Sequence, residues 1–164
     1  MTAPDVSRLT LRPSSAEDAE DIASLWHRGW LDGHLGHVPE VLLPHRRLSD
    51  FRQRVPPRLR ATTVATLDSR MVGFVTVRDN EIEQLYVDGS ARGSGVAAAL
   101  LRHGETVIAA RYPLAWLAVA VGNARARRFY ARQGWSDAAP LDYAAETSSG
   151  PIAVPCRRYE KRLS

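Results

Sequence analysis

Between Arg8 and Arg12, apolar Leu9 and Leu11 alternate with polar neighbours, the period of two that a half-buried strand requires. Pro13-Ser14-Ser15 ends that run. Ser14 with Glu17, or Ser15 with Asp18, offers a capping box, and Ala19, Ile22, Leu25 and Trp26 then recur at helical spacing. A first helix is predicted there, with Trp26 in the core. Gly33 to Pro44 is broken by glycine and proline, Leu48 and Phe51 resume an amphipathic trace, and Pro56-Pro57 closes it. A second, irregular helix is expected in that region. Three β-rich runs follow, Ala61 to Leu67, Met71 to Arg78 and Glu81 to Val87, joined by the short polar turns Asp68-Ser69-Arg70 and Asp79-Asn80. They predict an antiparallel meander. A helix from Gly95 to Arg111, an apolar strand from Ala115 to Val121 and a helix from Asn123 to Gln133 complete the middle of the chain. Trp135 to Asp137 and Val154 to Lys161 are expected to pair as a last hairpin around Thr147-Ser148-Ser149-Gly150-Pro151.

The junction Leu85-Tyr86-Val87-Asp88-Gly89-Ser90-Ala91-Arg92-Gly93-Ser94-Gly95-Val96-Ala97 joins a strand to a helix through small residues. Gly93 and Gly95 let the backbone approach a ligand, and the unpaired N–H groups of the first helical turn favour an anion such as pyrophosphate. Taken alone, the same loop reads first as a plain structural turn.

Composition narrows the class. The chain has 164 residues, 45% hydrophobic and 24% charged, which suits one soluble domain over 1–164 with a core of its own. Cys156 is the only cysteine, so no intrachain disulfide forms, and a buried, inert thiol is expected. Met1 to Val6 has no basic start leading into an apolar stretch, and Leu114 to Val121 is too short to cross a bilayer. A cytoplasmic protein without a membrane role is expected. The net charge of +4 comes almost wholly from arginine, with Lys161 the one lysine. The basic residues are scattered apart from Arg46, Arg47, Arg52, Arg54, Arg58 and Arg60, a stretch that reads as a solvated face. No nucleic-acid motif accompanies them, so no nucleic-acid partner is expected.

Asn123-Ala124-Arg125-Ala126-Arg127-Arg128-Phe129-Tyr130 then Gly134-Trp135 adds a second motif downstream of the glycine loop. Arg92, Gly95 and Ala97 match the Arg/Gln-x-x-Gly-x-Gly/Ala signature of the GNAT acetyltransferase superfamily, and Asn123 to Tyr130 resembles its Asn-x-x-Ala-x-x-Phe-Tyr helix. The resemblance covers most of the chain and is weakest between Gly33 and Arg60, where family members vary and shape the acceptor pocket. It implies an α/β (α+β) fold: a mixed, mainly antiparallel sheet splayed at a cofactor cleft and flanked by about four helices. The activity it implies is acetyl-CoA-dependent N-acetylation of a primary amine, on a small molecule or peptide, by direct attack. Family members often dimerise, so a homodimer is consistent with it. The competing expectation is a catalytically silent module of the same fold that senses CoA or binds protein.

By this resemblance, pyrophosphate rests on N–H groups of Arg92, Gly93, Ser94, Gly95, Val96 and Ala97, while the pantetheine arm pairs with Leu85, Tyr86 and Val87 like an added strand. Arg92 is either a phosphate contact or an exposed loop arginine. Asp88 adds a negative charge beside the loop, tolerable if it points away or pairs with Arg92. Asn123 is both a pantetheine contact and a helix N-cap in this scheme, and Phe129 lies beside the cofactor. A backbone N–H near Val87 would hold the oxyanion. Tyr130 matches the general-acid tyrosine, with a reference pKa of about 10 against about 8.5 for a thiol, its alternative being an aromatic packing role. Glu81 and Glu83, on the strand that approaches the thioester, are the candidate bases, with water as a relay or as the base itself, and surface glutamates as the alternative. Trp30 and His34 are candidate acceptor contacts. His34-x-x-His37 lacks a third ligand, so no metal is expected.

Overall fold

The computed structural model describes residues 6–163. Its centre is a seven-stranded sheet in the order β1-β2-β3-β4-β5-β7-β6. The strands are β1 (Leu9–Pro13), β2 (Thr62–Leu67), β3 (Arg70–Arg78), β4 (Glu81–Val87), β5 (Leu114–Ala120), β6 (Ser136–Ala145) and β7 (Ile152–Arg162). All neighbours pair antiparallel except β4 with β5. Four α-helices lie among the described residues: α1 (Ala19–His34), α2 (Leu48–Arg54), α3 (Val96–Ala109) and α4 (Ala124–Arg132).

The meander forms because its turns are two residues long with the required backbone. Asp68 and Ser69 both take positive φ (50° and 66°), the conformation of a hairpin turn whose twist matches the flanking strands. Of the two capping options, Ser15 with Asp18 is the one used: Asp18 Oδ2 accepts the Ser15 N–H at 2.8 Å. Arg12 grips the same carboxylate with two bonds of 2.8 Å, tying β1 to the start of α1 and holding Asp18 down at about 2.

The sheet divides the interior in two. Leu100, Leu101 and Ile108 of α3 meet Val75, Ile82, Leu117 and Tyr159 in one core. Trp26 of α1, Phe51 of α2, Leu42 and Phe74 fill the other, where Trp26 and Phe51 meet edge to face with centroids 5.1 Å apart. Gly29 and Gly33 sit one turn apart on α1: a side chain at Gly29 would collide with the Tyr86 ring, and one at Gly33 with Asn123 Nδ2. Glycine therefore lets α1 lie directly on β4 and on the start of α4.

Two expected elements differ. The irregular helix is only Leu48–Arg54, flanked by 3-10 segments at Glu40–His45 and Pro56–Ala61, because Pro44 and Pro56-Pro57 withhold N–H groups that a longer α-helix would need. The final hairpin is much longer than Trp135–Asp137 and Val154–Lys161: β6 runs ten residues and β7 eleven. β6 tolerates Pro140 because it lies at the sheet edge, where a missing N–H costs no ladder bond. No helix among the described residues is long and apolar enough to cross a membrane.

Candidate functional site

β4 and β5 are adjacent and parallel, yet they meet at one residue pair, Glu81 with Trp116, with the Trp116 N–H donating to the Asn80 carbonyl at 3.0 Å. β4 is held along its length by β3, and β5 by β7, so the sheet opens between them toward Val87 and Ala120. A cleft of about 670 Å3 occupies this opening. One end is the loop into α3; the other lies under α1 and the Arg46–Arg58 region.

At the loop end the walls are mostly backbone. Arg92 and Ser94 donate their N–H groups back to Gly89 and Ala91, and Ser94 Oγ also bonds the Ala91 carbonyl. Gly93 and Gly95 take φ of 78° and 91°, with open space where a Cβ would stand. Gly95 is the N-cap of α3, and its chain reversal presents Gly93, Gly95, Ala97 and Ala98 to the cleft. First-turn N–H groups at a helix start have no intrahelical acceptor, so this is an electropositive cradle shaped for an anion such as a pyrophosphate. Val96 is fully buried in the core beneath and does not line the cleft. Arg92 is half-exposed beside the cradle, 3.6 Å from Asp32. Asp88 is turned to Arg28 (3.4 Å) and Ser90 rather than to Arg92.

Along β4 the side chains alternate. Leu85 and Val87 pack toward α3, and Tyr86 toward α1, where burial pushes its hydroxyl above the ordinary range. The free edge of the strand borders the cleft with backbone. Opposite it, Asn123 Oδ1 caps α4 by accepting the Ala126 N–H at 3.2 Å, while Phe129 packs edge-on to Tyr130. Tyr130 lines the cleft, and burial raises its pKa above a free tyrosine's. Its hydroxyl makes no hydrogen bond to the described residues, although Phe129, Trp135 and Tyr159 enclose the ring.

The two glutamates stand in different surroundings. The pairing of β3 with β4 slips so that Thr76 faces Gln84 and Val77 faces Ile82, leaving Glu83 as the bulged residue. Glu83 is clamped by Arg58 at 2.5 Å and Arg78 at 3.2 Å. Glu81, 6% exposed, has no cationic partner within ion-pair distance among the described residues. Burial raises its pKa, opposed by the Tyr143 hydroxyl, which donates to Oε2 at 2.9 Å, and reinforced by the nearby charge of Glu83.

Beyond the glutamates the cleft widens into a chamber of charged side chains. Trp30 stacks on His34 with centroids 4.9 Å apart, and His34 Nδ1 donates to the Trp30 carbonyl at 2.9 Å. Burial lowers the His34 pKa to about 4, so its ring is a neutral wall at physiological pH. The arginines opposite correct the expectation of a solvated face. Arg47, Arg52 and Arg60 are exposed, but Arg46 is 4% exposed, and the Arg54 and Arg58 side chains are only 14% exposed. The α2 packing that buries Phe51 turns these three inward, and Arg54 lies over the Trp26 ring at 4.4 Å. Glu146, just past β6, bonds Arg54 at 3.3 Å and lies 3.6 Å from Arg58. Arg46, Arg54, Arg58, Tyr143 and Glu146 were not among the expected site residues. The alternation Leu141, Tyr143, Ala145 was a signal for β6 and its tyrosine; nothing local marked the arginines as buried. Cys156 is buried as expected, at the chamber wall, with burial pushing its thiol up to about 11.

Known proteins share this architecture. A GCN5-related N-acetyltransferase from Rhodopseudomonas palustris superposes with a TM-score of 0.73 at 22% identity, covering 99% of this chain and 97% of that one. PaiA N-acetyltransferase from Thermoplasma acidophilum, solved in complex with coenzyme A, gives 0.67 at 17% identity over 94% of this chain and 98% of its own. YncA from Salmonella typhimurium, solved with acetyl-CoA, gives 0.71 at 15% over 96% and 95%. In sequence, an uncharacterized N-acetyltransferase of Mycobacterium tuberculosis is 34% identical over 109 residues, which is 62% of this chain and 67% of that protein. Residues 20–135, from the first helix through both motifs, match the family model as well, and the chain belongs to the acetyltransferase (GNAT) family.

Proposed function

We propose that this protein transfers an acetyl group from acetyl-CoA to a primary amine by direct attack. The observation that carries the proposal is one continuous cleft bordered by an anion cradle, an unpaired strand edge, a buried carboxylate and a tyrosine hydroxyl without a partner. The family relationship, and neighbours of the same fold solved with coenzyme A or acetyl-CoA, support the choice of donor.

The cradle suits the donor's pyrophosphate, because its glycines leave room for phosphate oxygens against the backbone. The free edge of β4 suits an extended amide chain, which would pair with it as a strand does. The bound thioester supplies an activated acyl carbon. Within this frame Glu81 takes the proton from the ammonium or from the attacking nitrogen, directly or through water. Its raised pKa makes it a better match for that proton than an exposed carboxylate. Glu83, held by two arginines, fixes the charges around Glu81 rather than serving as the base. A backbone N–H of β4 near Val87 stabilises the oxyanion. Tyr130 gives its proton to the departing sulfur, so the new C–N bond replaces the C–S bond and CoA leaves as a neutral thiol.

The test is thioester cleavage against a panel of amines with amide product detected by mass, beside calorimetric binding of acetyl-CoA. Turnover lost in Glu81→Gln with donor binding intact is expected. Donor binding without turnover on any amine would assign the fold to a non-catalytic role.

A further inference from the structure

Arg46 is the least exposed cation of the chamber, and it has no counter-ion among the described residues. Its side chain borders the cleft on one side and a smaller hollow between α2 and Glu146 on the other. Nη1 donates to the His45 carbonyl at 3.0 Å, its Nε is buried with no partner, and Nη2 makes no hydrogen bond among the described residues. The nearest aromatic support is Trp30, whose centroid lies 5.8 Å from the guanidinium carbon. The other arginines of the chamber each have a carboxylate partner: Arg58 and Arg78 share Glu83, and Arg54 meets Glu146. No carboxylate of the described residues comes within ion-pair distance of Arg46.

An unpaired buried guanidinium is costly, because desolvation is not repaid by an opposite charge and the group stays ionised under ordinary conditions. Burial lowers the Arg46 pKa only to about 10, and its sole polar contact is one carbonyl. A fork of free N–H donors at the wall of a ligand cleft is built for a planar anion. We propose that Arg46 binds a carboxylate carried by the acceptor, so that the amine acetylated here belongs to a small amino-carboxylic acid. The inference rests on the acetyltransfer proposed above and names its substrate class. A polycationic amine fits poorly, since the two carboxylates nearest the arginines are already paired and its second charge would face Arg46 and Arg54. The neutral Trp30–His34 stack supplies an apolar wall for the acceptor's carbon skeleton.

The experiment compares three matched sets: amino acids, their carboxamides, and the amines lacking the carboxyl group, with wild type, Arg46→Gln and Arg46→Lys. In wild type the acids are expected to have the highest kcat/KM. Arg46→Gln should lower the value for acids by on the order of 100-fold, as loss of one partner in a buried charge pair does, while changing carboxamides less than about threefold. Arg46→Lys should recover part of the loss. Thermal stabilisation by the same ligands reads binding without turnover: acids should raise the Tm of wild type and not of Arg46→Gln. The Tm of unliganded Arg46→Gln should equal or exceed that of wild type, because a residue kept for a ligand is replaced at no cost to the fold. Carboxamides turned over as well as acids, or an acid preference that survives Arg46→Gln, overturns the inference while leaving acetyltransfer standing. If no amine is turned over, thermal shifts decide it: the absence of stabilisation by acids overturns it. Failure of acetyl-CoA to bind at all is the separate sign that the function proposed above is wrong.

Discussion

The two ends of the cleft are made of different materials. The end at Gly93 and Gly95 is built from backbone, with positive-φ glycines and the helix-start N–H groups that any helix supplies. The end under α1 is built from charged side chains, Arg46, Arg54, Arg58, Glu81 and Glu83, which are expensive to desolvate and are tolerated because most of them pair. A backbone cradle responds to shape and negative charge and leaves little for substitution to tune. A side-chain chamber can be retuned one residue at a time. The proposed reaction accordingly puts the common donor at the first end and the specific acceptor at the second.

The contrast can be broken most severely at Glu81. Glu81→Gln keeps the volume and removes the proposed base, so the rate of amide formation should fall by roughly 10²–10⁴-fold, while calorimetry finds acetyl-CoA affinity nearly unchanged. A parallel loss of donor binding would mean that the two ends are not separable. Tyr130→Phe should act more mildly, lowering kcat by about 10–100-fold with little change in KM for acetyl-CoA, because a thiol is already a fair leaving group. Steady-state kinetics in both substrates distinguishes this from a packing defect, which would also lower the Tm.

Tyr143→Phe sharpens the comparison through pH. The Tyr143 hydroxyl stabilises the charged form of Glu81, so its removal raises the Glu81 pKa, and the acidic limb of kcat/KM should move to higher pH. A substitution in the cradle should leave that limb in place. The smallest effect lies outside both ends. Asp18 is held at about 2, below its ordinary 3.8, so the Arg12 contact stabilises the fold above pH 4 and that contribution fades as pH falls through 2. Asp18→Asn should cost about 1–2 kcal/mol at pH 7 once screening at half-exposed Arg12 is allowed for, or a few degrees in Tm, and much less at pH 2. Thermal melts across that range check it, with kinetics at neutral pH unchanged.

The same difference in materials governs what could be read in the chain. The cradle lies within Leu85–Ala97, and both its glycines and its helix start are local signals. The meander was legible for the same reason, as were α3 and α4, which follow from apolar spacing and the Asn123 cap. The chamber draws on positions 30, 46, 58, 81 and 143, and no window of sequence contains its pairings. Arg46, Arg54 and Arg58 resembled a solvated stretch because arginine is usually exposed; only the docking of Phe51 on Trp26 turns them inward. The expected strand Trp135–Asp137 covers only the start of β6, so Tyr143 and its bond to Glu81 lie beyond it.

The central claim is that the α3 start and the open edge of β4 hold acetyl-CoA. Gly95 is a poor place to test it, since any side chain at φ 91° strains the backbone. Ala97 faces the same cleft in ordinary helical conformation, and a glutamate in a first helical turn is compatible with the helix dipole. Calorimetric titration of wild type and Ala97→Glu with acetyl-CoA and CoA is therefore the direct measurement. Binding of both ligands by wild type, abolished in a folded Ala97→Glu protein, is the expected result. Binding of equal strength in both proteins, or none in wild type, would contradict the placement of the donor in this cleft.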